Sequence, residues 1–261
     1  MKIALIGNGA IAKLVSQFCA DRQARYTLVG ALGLTEDSDS VGTHTVVYTL
    51  EELLAFAPDL VVECAGHSAV SAYAVPLLER GVDQIIVSTG SLADAELLKT
   101  ITAAAEKSTA KIKLPAGALP GVDALSSAKL AGLTKVTLRS AKPPLAWKGT
   151  PAESSHDLDT IQAPVIIFSG TAREAATAYP KNANVAATAA LAGVGFEKTT
   201  VELVADPGLA RNTHHLEAEG TFGSMSLDIA GNPSPDNPKT SHMAALSIMR
   251  LLDNETAGII I

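Results

Sequence analysis

Gly7 and Gly9, with Ala12 three residues on, have the spacing G-x-G-x-x-A, and they stand directly behind the apolar run Lys2 to Ile6. Ile11, Leu14, Val15, Phe18 and Cys19 then recur at the i, i+3, i+4, i+7, i+8 positions of one helix face. A strand, a glycine turn and an amphipathic helix in that order make an anion site. Gly7 permits the tight turn, Gly9 carries no Cβ to hold a phosphate away, and the small Ala12 lets helix and strand pack closely. The residues Gly7, Gly9, Ala10 and Ile11 are therefore expected to hold the pyrophosphate of a dinucleotide, with a plain tight turn as the simpler alternative. A carboxylate ending the second strand would hold the ribose 2′-hydroxyl and select NAD. Here the strand runs Ala31-Leu32-Gly33-Leu34-Thr35 before Glu36 and Asp37, and no Arg follows to clamp a 2′-phosphate, so the expected cofactor is NAD or NADP.

A second candidate group is an imidazole. If His214 to Glu219 is a strand, alternation places His214, Leu216 and Ala218 on one face and His215, Glu217 and Glu219 on the other. An inward His214 titrating near neutrality could move protons in a sheltered site, or could be a hydrogen-bonded core histidine. His67, His156 and His242 are isolated, and no His, Cys, Asp or Glu cluster has metal-ligand spacing, so no metal is expected.

The elements that must position these groups follow from periodicity. Lys2 to Ile6, Tyr26 to Leu32, Asp59 to Glu63, Gln84 to Val87 and Lys111 to Leu114 read as strands alternating with helices, the rhythm of βαβ units. Thr49 with Glu52, and Ser91 with Asp94, have capping-box spacing and predict two helix starts. Beyond residue 114, Val136 to Leu138, Val165 to Phe168, Val201 to Ala205, His214 to Glu219 and Ser224 to Ile229 read as strands of a largely antiparallel sheet. Gly231 to Pro238 carries three prolines and is expected to be neither strand nor helix, with a final helix, roughly Ser241 to Leu252, after it. The predicted fold is α/β: an N-terminal Rossmann-type doubly wound parallel sheet, residues 1–114, completed by a C-terminal helix within 239–261, and a second α+β domain, 115–238, that supplies the substrate site.

Composition sets the class. The chain is 47% hydrophobic but only 4% aromatic, which suits helices packed on a mostly parallel sheet. A formal net charge of −7 with no basic run argues against nucleic acid. The N-terminus enters a strand at once and no apolar stretch approaches membrane-spanning length, so a cytoplasmic protein without a membrane partner is expected. Cys19 and Cys64 fall in apolar segments and read as buried thiols.

Four further motifs carry a resemblance. Gly117-Ala118-Leu119-Pro120-Gly121-Val122-Asp123-Ala124, Tyr179-Pro180-Lys181-Asn182-Ala183-Asn184-Val185-Ala186, Asp206-Pro207 followed by Asn212-Thr213-His214, and Asn232 to Ser241 together resemble the L-aspartate dehydrogenases over nearly the whole chain. The resemblance implies reversible NAD(P)-dependent deamination of L-aspartate to iminoaspartate, then oxaloacetate and ammonia. It implies a catalytic role for His214 and contact of Ala118 and Asn184 with the cofactor. It also implies a homodimer or higher oligomer, and it leaves the direction open, toward ammonia release or toward iminoaspartate for pyridine nucleotide biosynthesis. The segment Ser140-Ala141-Lys142-Pro143-Pro144 replaces a more basic version in the family. A dicarboxylic substrate needs cations, for which Lys142, Lys181, Arg173 and Arg211 are unranked candidates. The rival readings are another two-domain reductase, resembling dihydrodipicolinate reductase or homoserine dehydrogenase, and a non-catalytic dinucleotide sensor.

Overall fold

The computed structural model describes residues 1–33, 45–234 and 237–260. The chain divides into two compact units, Met1–Pro115 with Ala244–Ile261, and Ala116–Met243.

The first unit is built from β1 (Lys2–Ile6), α1 (Ala10–Ala20), β2 (Thr27–Leu32), β3 (Val46–Val47), α2 (Leu50–Ala55), β4 (Leu60–Glu63), α3 (His67–Glu79), β5 (Asp83–Ile86), α4 (Ala95–Lys107) and β6 (Ile112–Lys113). Its six strands are parallel throughout, in the order β3-β2-β1-β4-β5-β6. Alternation along β1 explains the two covered faces. Ile3 and Leu5 join Val62, Ile85 and the α1 residues Val15 and Phe18, while Ala4 and Ile6 join Val61, Leu53, Ala69 and Leu77. Each fully buried Leu or Ile of this kind contributes about 1.5–3 kcal/mol.

The box expected at Thr49 and Glu52 is present in full, with each side chain bonded to the other's backbone. The one expected at Ser91 and Asp94 is not. Asp94 is itself the cap of α4, accepting from Glu96 N and Leu97 N, and Ser91 lies in a preceding 3-10 turn with its hydroxyl bonded to Ser88 O. A carboxylate able to accept two orphan N–H groups at once outcompetes an upstream hydroxyl.

The second unit contains α5 (Val122–Ala131), β7 (Leu133–Lys142), α6 (Ala152–Ser155), β8 (Val165–Thr171), α7 (Ala172–Ala178), α8 (Ala183–Ala192), β9 (Thr199–Ala205), β10 (Thr213–Gly220) and β11 (Gly223–Ala230). The sheet order is β11-β10-β7-β9-β8, and β7 with β9 is its single parallel pair among otherwise antiparallel neighbours. Along β10, His214, Leu216 and Ala218 are buried, whereas His215 and Glu217 look outward and pair with each other at 3.2 Å.

The proline-rich segment departs from expectation. Its backbone forms a two-stranded ladder of β12 (Pro233–Ser234) with β13 (Asn237–Ser241), and the last helix, α9 (His242–Thr256), starts one residue beyond the expected Ser241. A two-stranded edge needs few donors, and this lets proline enter it. From Ala244 onward α9 belongs with the first unit, where Ile248 and Leu252 enter the α1 core and Tyr26 donates its hydroxyl to Leu252 O at 2.9 Å. No helix among the described residues is long and apolar enough to cross a membrane.

Candidate active site

In the first unit the glycine turn forms as its spacing requires. Gly7 has φ +102°, and a Cβ there would stand 2.9 Å from Ala65 Cβ and 3.1 Å from Cys64 O. Gly7 is thus glycine for two reasons, backbone conformation and space. Gly9 differs, because it caps α1 in an extended conformation and a Cβ there would meet nothing within 4 Å. No side chain caps the helix and no acidic residue sits in its first turn, where Ala10 and Ile11 lie. Free N–H groups, a positive helix end and a surface without Cβ suit a pyrophosphate, so these residues fit the dinucleotide expected there.

Sequence reasoning missed the residue that fixes the wall of this turn. Glu63, 3% exposed at the end of β4, accepts from Ala65 N and Gly66 N at 2.8 Å each and from Ser88 Oγ at 2.9 Å, all on Oε1. Its Oε2 accepts from Ser88 N at 3.0 Å. Four donors on one buried carboxylate lock the 64–66 turn to the end of β5, and Ala65 is the residue against which Gly7 packs. The available signal was a carboxylate closing the apolar run Leu60-Val61-Val62.

In the second unit, His214 is 7% exposed and its Nδ1 lies 2.9 Å from Ser140 Oγ, on the directly opposed residue of β7. Burial, and then the charge of Lys142, push the imidazole down to about pKa 4. Burial likewise pulls the Lys142 ammonium down to about 8. Lys142 donates to Asn182 Oδ1 and lies 5.1 Å from the Trp147 ring centroid. With Nδ1 engaged, Nε2 is the ring nitrogen left to serve a ligand. His214 also lines a pocket of about 150 Å³ together with Arg211, Asn212, Gly231 and Asn232.

The remaining candidates separate. Ala118 is buried in the turn after Gly117, which has φ +64°. Asn184 is exposed as the second residue of α8, and Asn182 occupies the cap position. Arg173 pairs with Glu197 and covers the Phe196 ring, and Arg211 donates to Asn232 Oδ1 at 2.9 Å. The side chain of Lys181, like Glu36 and Asp37, lies outside the described residues. His67 opens α3, His156 bonds Ser155, and no trio of His, Cys, Asp or Glu among the described residues could hold a metal. Cys19 is buried, with burial raising its thiol to about 11, whereas Cys64 is half-buried and donates to Ile6 O at 3.3 Å.

Residues 123–255 match the family model described as aspartate dehydrogenase, C-terminal, and residues 7–115 match that of the homoserine dehydrogenase NAD binding domain. The chain is 42% identical to the L-aspartate dehydrogenase of Polaromonas sp. over 266 aligned positions, covering both chains in full. It is 46% identical to that of Ralstonia nicotianae, over 83% of this chain and 81% of the relative. The solved aspartate dehydrogenase of Thermotoga maritima superimposes with a TM-score of 0.79 at 28% identity, over 100% of this chain and 99% of that one. An N-terminal parallel sheet opening on a glycine turn, a mixed sheet carrying one buried histidine, and full-length identity of this order have one reading: the chain belongs to the L-aspartate dehydrogenase family.

Proposed function

We propose that the chain catalyses the NAD- or NADP-dependent, reversible oxidative deamination of L-aspartate to iminoaspartate and on to oxaloacetate and ammonia, with His214 as the acid–base group. The observation that carries the role of His214 is its burial on β10 with Nδ1 held by Ser140, beside a partly desolvated lysine. Gly7, Gly9, Ala10 and Ile11 would hold the pyrophosphate, and family resemblance adds Ala118 and Asn184 as cofactor contacts. A dinucleotide held by these residues would supply the acceptor for the hydride of the substrate Cα.

The protein's own part is to hold, orient and move protons. Above pH about 4 the His214 ring is neutral, so Nε2 can accept a proton from the substrate ammonium, release it to solvent once the imine has formed, and accept a second from the water that adds to the imine carbon. Carboxylates of a bound substrate offset the Lys142 charge, which makes the ring a stronger base when substrate is present. A cytoplasmic homodimer or higher oligomer is part of the same reading.

The test is turnover of purified protein with L-aspartate, L-glutamate, L-alanine and L-homoserine, each with NAD and with NADP, followed by nicotinamide absorbance. Turnover confined to L-aspartate, and lost in His214→Ala while cofactor affinity stays nearly intact, is the expected result. Preference for L-homoserine, or no turnover with any amino acid, would replace this reading by one of its rivals.

A further inference from the structure

The pocket that His214 lines raises a question the chemistry leaves open, namely which group selects a dicarboxylate. At about 150 Å³ it is small beside the roughly 300–1,000 Å³ of drug-sized ligand sites, so it suits a short acid. No Asp or Glu is among its described lining residues, and Arg211 is the one permanent cation there. Of the other basic candidates, neither Arg173, which pairs with Glu197, nor Lys142 is among the described residues lining this pocket.

Arg211 is also aimed. It stands three residues before His214, in the stretch leading into β10, and Gly231 N donates to Asn212 O at 3.0 Å, tying that stretch to the chain leaving β11. Across this tie Arg211 Nη1 donates to Asn232 Oδ1 at 2.9 Å. One of five guanidinium N–H donors is thereby fixed, which orients the fork and leaves the others for a ligand. Arg211 forms no ion pair among the described residues.

Resting on the reading of His214 as the acid–base group for L-aspartate, we propose that Arg211, oriented by Asn232, binds the side-chain carboxylate of the substrate and sets the preference for a dicarboxylic amino acid. Burial gives the orientation. His214 is buried and Arg211 exposed, so the reacting carbon with its own carboxylate lies inward by the imidazole and the remote carboxylate lies outward by the guanidinium.

The experiment compares L-aspartate with L-2-aminobutyrate, which has the same carbon chain but no second carboxylate, in wild type, Arg211→Met, Arg211→Lys and Asn232→Ala. For Arg211→Met, kcat/KM with L-aspartate should fall roughly 10- to 150-fold, the range of a lost charged hydrogen bond, with L-2-aminobutyrate and the KM for NAD nearly unchanged. Arg211→Lys should recover part of the loss, since an ammonium supplies charge without the fork, and Asn232→Ala should show a smaller loss in the same direction. Equal losses on both substrates, or no loss on L-aspartate, would overturn the assignment. Succinate binding by calorimetry scores it without turnover. Weakened binding in Arg211→Met supports the role and unchanged binding removes it, even if wild type fails to oxidise L-aspartate and the catalytic reading falls instead.

Discussion

Ser140 Oγ and His214 Nδ1 lie 2.9 Å apart on directly opposed residues of β7 and β10, both nearly sealed from solvent. Two antiparallel strands fix this pair more firmly than loops would, because every neighbouring ladder bond resists a change in register. The hydroxyl therefore sets the ring plane and selects which nitrogen faces a ligand.

Ser140→Ala removes that partner while keeping the strand. We expect kcat to fall roughly 5- to 30-fold, corresponding to about 1–2 kcal/mol for an imidazole left without its orienting bond. The dissociation constant for NADH should stay near wild type. Steady-state kinetics alongside fluorescence titration of NADH separate the two quantities, and an unchanged kcat would show that packing alone orients the ring.

Acid should destabilise the fold through His214. Its folded-state pKa of about 4 lies below the ordinary 6.5, so between those values the unfolded chain takes up a proton that the folded chain refuses. The stabilisation is complete above pH 6.5 and is lost as pH falls through this window, by at most about 3 kcal/mol. Urea unfolding at pH 7 and pH 4.5 should show a steeper loss for wild type than for His214→Gln; parallel losses would mean that other groups set acid stability.

Lys142→Met removes the positive charge that, after burial, holds the His214 pKa down. The ring's titration, followed by NMR of its Cε1 proton, should move to higher pH, and the acid limb of kcat/KM should move with it. A titration that does not move, or moves downward, would leave desolvation as the sole cause.

Much of this arrangement was legible in the chain, and the failures have physical causes. The glycine turn could be read because backbone freedom and close packing confine Gly7 to glycine, and the facing of His214 because β alternation has a strict period of two. Ser140 could not be read as its partner, since cross-strand register is set by contacts 74 residues apart in sequence. Glu63 was hidden for a similar reason: its four donors come from two different loops. The Ser91 pattern misled because a competing carboxylate at Asp94 satisfies the same orphan groups. The segment 231–238 misled because proline content excludes a central strand but not a short edge ladder.

Glu63→Gln keeps the shape of the β4 end but replaces an acceptor oxygen by an NH2 group among four donors. One N–H then faces another N–H or a hydroxyl, and the 64–66 turn loosens where it backs Gly7. The melting temperature should drop by an amount equivalent to about 1–3 kcal/mol, and the KM for NAD should rise while the KM for L-aspartate changes little. Equal changes in both Michaelis constants would mark Glu63 as a general stabiliser with no particular bearing on the glycine turn.

Gly7→Ala and Gly9→Ala should part company, and the contrast tests the anion site without reference to catalysis. At Gly7 the added methyl meets Ala65 Cβ at 2.9 Å on a backbone with φ +102°, so steric clash and conformational strain both oppose folding. That variant should melt several degrees lower. At Gly9 the backbone is already in an extended conformation open to any residue, with nothing within 4 Å of the new methyl, so the free protein should melt within about a degree of wild type. A pyrophosphate lying against the start of α1 would occupy the space the methyl takes. NADH affinity measured by calorimetry should therefore fall at least about tenfold in Gly9→Ala, with stability intact. Full NADH affinity in that variant would move the cofactor away from the glycine turn and would sink the dinucleotide reading of residues 7–12.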